Sequence, residues 1–345
     1  MNKAQALARI VAEPREVPAG QKYQVDRFRP EDAWGVARLF HAIYGADYPV
    51  DTTYVPEKLI KANEDQDLLS LVGRTEADDV VAHYALYRSS PPNRNLYEIG
   101  QMLILPDYRN SMLAFRLNQR AIQVMEETPG IHGLFGEAVC SHVITQKFIN
   151  KVGFREIGLE PALMPEGAYA KEGTPGRVGC VSAVRIKPGK RRPLFVPARY
   201  QAHLAFLLEG VGLDRDLQPS RAGIPAGSVS EIKSQRFDFA AVARLNILSC
   251  GADLAQEVAR AESGDPAVVQ VYLNLGQPWV EEAVEILFAR GYFLGGFLPI
   301  WLGDDALMMQ KLTVDPEFEA MQLLNERGQR IRDMVREDWE RVTRG

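Results

Sequence analysis

A chain of 345 residues, 46% hydrophobic and 25% charged, has the composition of a folded, non-fibrous protein of about two domains. Its formal net charge of −5 counts against general nucleic-acid binding and against adsorption to an anionic membrane, and no apolar run reaches the ~20 residues that a membrane-spanning helix needs. Cys140, Cys180 and Cys250 lie far apart without C-x-x-C spacing, and the five histidines lack metal-ligand spacing, so the expectation is reduced thiols and no metal.

Residues 1–21 predict a polar helical lead-in ending at Pro18-Ala19-Gly20; without the compact apolar core of a secretory leader, the expected location is the cytoplasm. A strand over 23–28 precedes Pro30 and a helix with Ala33, Val36, Ala37, Phe40 and Ile43 on one face, stopped at Gly45. Residues 68–74 and 80–88 flank the acidic turn Ala77-Asp78-Asp79 and predict a hairpin. The next strand covers 97–105. After Arg109 comes a helix whose buried stripe is Leu113, Leu117, Ala121 and Val124. A strand over 132–140 follows, then a helix over 142–151 stopped by Val152-Gly153-Phe154. Strands over 155–163 and 177–187, parted by a Gly/Pro-rich loop, close the series β-α-β-β-β-α-β-α-β-β.

The basic stretch Lys187-Pro188-Gly189-Lys190-Arg191-Arg192-Pro193 predicts a linker. Beyond it lie a helix (198–210), strands (228–239 and 243–248), a helix (252–261), a strand (268–275), a helix opened by Pro278, and strands over 293–299 and 306–312. This tail repeats the end of the first half. KFINKVGF (147–154) and EILFARGY (285–292) both end in Gly and then an aromatic residue, and Gly158 and Gly296 follow at equal distance. Residues 315–345 predict an amphipathic helix with Phe318, Met321, Leu324, Ile331, Val335, Trp339 and Val342 on one side. That side offers a face to its own protein or to a second copy in a homodimer.

The stretch EIGQMLILPDYRNSMLA, from Glu98 to Ala114, runs strand, turn, Arg, helix. A helix start placed there aims unpaired N–H groups and the positive end of the dipole at one spot, which suits an anion. The stretch resembles the acyl-CoA-binding segment of the GNAT N-acetyltransferase superfamily, whose pyrophosphate loop reads Arg/Gln-x-x-Gly-x-Gly/Ala. Arg109, Asn110, Ser111, Met112, Leu113 and Ala114 occupy its positions; Arg109 and Ala114 match, and Met112 stands where the first Gly is expected. The element order over 22–187 is also that of a GNAT domain. The resemblance implies an α/β (α+β, mixed-sheet) fold in tandem, with 188–314 a degenerate second GNAT-like lobe in which Ser249-Cys250-Gly251 replaces the loop. More narrowly, the runs around Ser141–Lys147, Gly291–Pro299 and Asp304–Gln310 resemble bacterial GNAT-like modules that can be joined to anti-sigma-factor-type ATPase domains.

The resemblance implies acetyl-CoA as co-substrate in a bacterial-type protein, lying between the strand that ends at Leu105 and the one that ends near Cys140. Backbone groups of Leu103, Ile104 and Leu105 would bond the pantetheine arm, and the amides of Arg109 to Ala114 the pyrophosphate. Glu98 sits where histone-type members carry their general base. By plain alternation it shares a face with Gly100, Met102 and Ile104. The family's Asn-x-x-Ala-x-x-Phe-Tyr helix is here His142 to Ile149; Ile149 takes the place of the proton-donating Tyr, and His142 stands at the Asn, either as the donor or as a backbone-bonding residue. Two functions stay open at this point. One is transfer of an acyl group from acetyl-CoA to an unknown amine, small molecule or protein, by direct attack. The other is a catalytically silent acyl-CoA-binding regulatory module, which Met112 and Ile149 favour. A tandem transferase acting on tRNA would need a basic cleft, against which the acidic charge counts.

Overall fold

The computed structural model describes residues 1–169, 173, 174 and 176–344. It divides into two compact units: Met1–Ser89 with Tyr97–Leu134, and Ser90–Leu96 with Phe135–Gly345. In chain order the elements are α1 (Lys3–Ala12), β1 (Tyr23–Arg27), α2 (Ala33–Tyr44), α3 (Pro56–Glu64), β2 (Leu68–Thr75), β3 (Val80–Tyr87), β4 (Leu96–Ile104), α4 (Leu113–Glu127), β5 (Gly133–Val139), α5 (Ile144–Lys151), β6 (Arg155–Met164) and β7 (Val178–Ile186). Then come β8 (Arg192–Val196), α6 (Gln201–Leu208), β9 (Arg215–Pro219), β10 (Glu231–Phe237), β11 (Val242–Ser249), α7 (Leu254–Glu262), β12 (Val268–Asn274), α8 (Val280–Ala289), β13 (Phe293–Leu298), β14 (Ala306–Leu312) and α9 (Glu326–Arg344).

Three readings of the sequence need correction. The end of the basic stretch is not linker: Arg192 and Pro193 open β8, which pairs in parallel with β9, an edge position where Pro is tolerated. Helix α3 went unread because only Pro56 and Leu59 of its nine residues are buried, too little for a periodic stripe. The last helix starts at Glu326, and Phe318 and Met321 pack from the turn before it. The Gly/Pro-rich loop after β6 falls partly outside the described residues, as does Gly345.

In the first unit β1, β2, β3 and β4 form an antiparallel meander. Helices α2 and α3 cover one face through Val36, Phe40 and Leu59, joined by Tyr54 from the turn before α3 and packed on Val72, Ala85 and Leu103. Helix α4 covers the other with the stripe expected of it, Leu113, Leu117, Ala121 and Val124, all buried; the Tyr84 hydroxyl meets Asn118 of α4 there at 3.3 Å.

The second unit's main sheet has the order β5-β7-β6-β13-β14-β12-β11-β10. That order reads as a palindrome about β6 and β13. In both halves a strand–helix–hairpin unit places the hairpin's second strand next to the opening strand, which is the pseudo-twofold repeat the sequence announces. Its axis falls where Gly158 pairs with Gly296, the two glycines singled out by their equal spacing. Neither site has room for a side chain: a Cβ on Gly296 would lie 2.6 Å from the Gly158 Cα and from the Ile157 carbonyl oxygen, and one on Gly158 2.8 Å from the Gly295 carbonyl oxygen. Because the obstacles are backbone, no rotamer change relieves them.

Each half carries a bulge beside that junction, between Glu156 and Gly158 in β6 and between Leu294 and Gly296 in β13. A bulge leaves a backbone group without its ladder partner, and α9 supplies both. Arg327 Nε donates to the Glu156 carbonyl at 2.9 Å, and the Leu294 N–H donates to Asp338 Oδ2 at 2.8 Å. The two side chains stand about three helical turns apart, so one face of α9 spans the junction.

The sheet of this unit curls strongly. Strands β5 and β11 are six steps apart in the order, about 29 Å in a flat sheet at roughly 4.8 Å per step. Yet Arg244 of β11 donates from Nη2 to Glu137 of β5 at 2.8 Å. Arg244 is 5% exposed; it also reaches Gln270 at 2.7 Å, Ser90 at 2.7 Å and Glu160 of β6 at 3.3 Å. Glu160 in turn accepts from Gln270 at 2.6 Å and from the Ser182 hydroxyl. Trp301 closes one end of the curl, stacked on Tyr272 at 4.8 Å and bonded through Nε1 to Asn246 at 2.7 Å.

Candidate functional site

The segment from Glu98 to Ala114 lies in the first unit. Its strand does not alternate as the sequence suggests. Glu98 pairs with Tyr87, Gly100 with Ala85, then Leu103 with His83 and Ile104 with Ala82, so Gln101 and Met102 together face Tyr84. This bulge turns the following residues over. Glu98, Gly100 and Leu103 share the face under α2, and Ile104 moves to the opposite one. Gln101 takes φ +55°, uncommon for a residue with a side chain.

The bulge is held by a buried histidine that sequence reading passed over. His83 Nδ1 lies 3.1 Å from the Gln101 carbonyl and Nε2 lies 3.1 Å from the Ser70 hydroxyl. A carbonyl only accepts, so Nδ1 carries the proton and Nε2 receives the Ser70 hydroxyl. The ring is fully buried against Phe40, 5.3 Å away, and burial lowers its pKa to about 4 against the opposing pull of the Gln101 bond. The folded chain thus keeps His83 neutral where the unfolded chain takes up a proton. Stability from this group is complete above pH ~6.5 and is lost as pH falls towards ~4, by about 3 kcal/mol in all. Because Glu160 titrates in the opposite sense over the same interval, the test is a difference: between pH 7.5 and pH 5 urea unfolding is expected to change less favourably in the wild type than in His83→Asn, and an equal change in both proteins would dissociate the slope from His83.

Glu98 is half-buried and accepts a 2.5 Å hydrogen bond from the Tyr87 hydroxyl. Gly100 makes room for it, since a Cβ there would stand 2.8 Å from that hydroxyl. Of the three residues read as the pantetheine contact, Leu105 commits its amide to the Val81 carbonyl at 2.9 Å. By the same alternation Leu103 faces β3. Ile104 points its backbone to the other edge, where its carbonyl receives Arg109 Nε at 3.2 Å.

Past Leu105 a single turn over Pro106–Tyr108 leads to Arg109. The Ser111 hydroxyl donates to the Tyr108 carbonyl at 2.6 Å and accepts the Leu113 N–H at 3.3 Å. Asn110 and Ser111 are exposed, while Leu113 and Ala114 are buried. Met112 sits at the helix cap with φ −80° and ψ 6° and is 54% exposed. No left-handed backbone is required there, so Met replaces Gly without strain and its side chain lies out in solvent. Ser111 thus takes one N–H at the start of α4, Met112 at the cap position makes no side-chain bond of its own, and among the described residues none of the first turn is acidic. A helix start left in that state suits a phosphate group, and the residues present therefore fit the pyrophosphate of an acyl-CoA.

His142 belongs to the second unit, just ahead of α5. Its Nδ1 accepts the Ile144 N–H at 3.3 Å, which leaves Nε2 as the nitrogen able to donate. Ile149 is buried in the core. Cys140 is 2% exposed, and burial pushes its thiol up to about 12, so it is no nucleophile at neutral pH; Cys180 and Cys250 are likewise buried and unpaired.

In the second half of the repeat the place of the pyrophosphate loop is closed. Strands β11 and β12 pair in register from Val242 with Val268 to Ile247 with Leu273. Beyond that, the side-chain amides of Asn274 and Gln277 hold the Leu248 carbonyl at 3.0 and 2.9 Å. Gly251, at the place of the pyrophosphate loop, is pressed against Val229 and Ser230.

Residues 35–154, from α2 to the stop of α5, match the model of the acetyltransferase (GNAT) family. That stretch is similar to a GNAT acetyltransferase domain, and acyl transfer from acetyl-CoA is the chemistry of that family. Among solved structures, the ribosomal-protein-S5-alanine acetyltransferase of Vibrio fischeri is 13% identical, with 50% of this chain and 95% of that one covered at a TM-score of 0.39. The ribosomal-protein-alanine N-acetyltransferase of Brucella melitensis is 13% identical (48% and 99% covered, TM-score 0.39). An N-acetyltransferase of Staphylococcus aureus is 13% identical (48% and 98%, TM-score 0.38). No curated protein matches the chain.

Proposed function

We propose that the protein is an N-acetyltransferase that moves an acyl group from acetyl-CoA to an amine by direct attack. The observation that carries this reading is the acid-free start of α4, with Met112 at its cap making no side-chain bond, directly behind the bulged strand that bears Glu98. Acetyl-CoA would supply the activated thioester. The amides of Asn110, Ser111, Met112 and Ala114 would hold its pyrophosphate, those of Arg109 and Leu113 being taken by the Pro106 carbonyl and the Ser111 hydroxyl, and the outward backbone of Ile104 would meet its pantetheine arm, Leu103 and Leu105 being spent on β3. Glu98 would take the proton from the acceptor ammonium.

Residues 22–187 are the working lobe in this reading and 188–314 a lobe that has lost its cofactor slot, with 1–21 a lead-in and the end of the chain a brace. The in-register pairing of β11 with β12 supports that division of labour.

Calorimetric titration with acetyl-CoA tests the proposal. One molecule per chain is expected, and Arg109→Glu should weaken binding by about 1.5–3 kcal/mol, the scale of a charged hydrogen bond. Unchanged affinity in the variant, or two molecules per chain, would remove the assignment.

A further inference from the structure

The lead-in ahead of β1 closes off a cavity that the proposed transfer does not use. Arg15 donates to the buried Asp79 carboxylate and, at 3.3 Å, to the Ala77 carbonyl, both in the acidic turn between β2 and β3. Three residues on, the Pro18 carbonyl accepts the Tyr108 hydroxyl at 2.6 Å. The segment from Arg15 to Pro18 is thus tied to the hairpin turn at one end and to the turn after β4 at the other. Between this segment, α2 and the ends of β3 and β4 lies a cavity of 540 Å³, a volume within the range of small-molecule sites.

Its lining is apolar on one part and holds an unspent cation on another. Leu39, Val80, Leu105 and Pro106 supply the apolar surface. Arg38 of α2 also lines the cavity, and its Nε is buried with no hydrogen-bond partner. The nearest carboxylate, Glu13, bonds Arg9 at 3.2 Å and stays 3.9 Å from Arg38 Nη2, outside hydrogen-bond reach. A charged donor left unpaired away from water is costly. The Arg38 side chain keeps 28% of its surface open, so the free end of its guanidinium can still be met from the cavity. The other guanidinium of the lining, Arg15, is already spent on Asp79.

We propose that this cavity binds a small monocarboxylate with an apolar body, its carboxylate on Arg38 and its chain against Leu39, Val80, Leu105 and Pro106. A guanidinium matches a carboxylate through two parallel N–H bonds. Glu31, Asp78 and Asp107 are exposed on the same lining, and among the described residues no ion pair ties any of them. They repel a second negative charge, which separates this ligand from the multiply charged phosphates of acetyl-CoA. The two places also differ in the fold. The cavity lies on the β3 side of the end of β4, where Leu105 gives its amide to Val81, whereas Ile104 turns its backbone to the opposite edge. The proposal therefore stands without the transferase reading.

Hexanoate, hexanamide and adipate, alike in length and different in charge, are titrated calorimetrically against the full chain. Hexanoate is expected to bind at least about 10-fold more tightly than hexanamide, the scale of one charge-assisted hydrogen bond, and more tightly than adipate. Arg38→Met keeps an unbranched stem and should bring hexanoate down to the level of hexanamide. Ala42→Phe, at an exposed position of α2 on the cavity lining, should fold normally and weaken both. Saturating acetyl-CoA should leave hexanoate binding in place. No binding of hexanoate, equal affinities for hexanoate and hexanamide, a preference for adipate, or an undiminished preference for hexanoate in Arg38→Met would overturn the proposal. Displacement of hexanoate by acetyl-CoA would overturn it too, by making the cavity part of the cofactor slot. Hexanoate binding by a chain that takes no acetyl-CoA would support the proposal and remove the transferase reading.

Discussion

Glu98→Gln is expected to lower kcat by roughly 10²–10⁴-fold, the usual share of a general base, and to leave acetyl-CoA affinity close to that of the parent. An aliphatic amine reaches a protein as its ammonium ion, whose nitrogen has no lone pair to attack a thioester. Gln keeps the size of Glu and can still accept the 2.5 Å bond from the Tyr87 hydroxyl, so local structure is preserved while proton uptake is removed. The pattern of the loss identifies the cause. A fall in kcat and kcat/KM together marks an interaction made at the transition state, whereas a rise in KM alone marks lost binding. Tyr87→Phe makes a useful companion, since it removes the donor and leaves the carboxylate. Turnover of Glu98→Gln at the parental rate with an amine of ordinary basicity would take Glu98 out of the reaction.

The sequence was most legible where a signal is local. Helix α4, with its stripe from Leu113 to Val124, and the Gly-aromatic stops after α5 and α8 depend on neighbours three or four residues away. Period and punctuation expose both. The repeat could be read because Gly158 and Gly296 mark equivalent points in its two copies. Their pairing with each other could not, since a pseudo-twofold axis arises only when two copies meet. The face of Glu98 was read correctly relative to Gly100 and wrongly relative to Ile104. The error enters at Gln101, where a bulge is fixed by a bond from His83 eighteen residues earlier. Nothing in the alternation of residues 96–104 records that contact.

The Arg244 network was missed for a related reason, although it left a trace. Arg244 and Glu137 are each the lone charge of an apolar strand, and Glu160 sits in the apolar half of β6; such residues need partners, because an unpaired buried charge is costly. What the sequence does not say is that β5, β6 and β11 meet. Only the curl of the sheet brings Arg244 to Glu137 and Glu160, 107 and 84 positions away along the chain. In the first half of the repeat β5 and β6 carry the carboxylates, and in the second half the equivalent strands carry Tyr272 and Leu298 within an apolar cluster. The two copies have thus diverged into complementary partners, one acidic inside and one supplying the guanidinium.

Arg244→Met is expected to destabilise the folded chain by about 3–5 kcal/mol, the scale of breaking a buried ion pair from one side. The Glu137 and Glu160 side chains are only 12% and 3% exposed and would lose their shared cation, while Gln270 and Ser90 would lose a donor. Removing the charges together tests the cause: Arg244→Met with Glu137→Gln and Glu160→Gln should recover most of the stability, because matched neutral replacements of a buried cluster are often near neutral. One guanidinium cannot fully compensate two carboxylates. Burial, with the charge of Glu137 behind it, raises the pKa of Glu160 well above the ordinary carboxylate range. The folded chain then holds a proton on Glu160 at mildly acidic pH where the unfolded chain has released it, so this contribution to stability is present at low pH and is lost as pH rises towards neutrality and beyond. Glu160→Gln keeps a hydrogen-bonding partner for Ser182 and carries no charge, so it should abolish that loss. Urea unfolding of the parent, the Arg244 variant, the triple variant and Glu160→Gln at pH 5.5 and pH 8 separates these effects. If Arg244→Met unfolds at the parental urea concentration at both pH values, the charge network does not hold the curl.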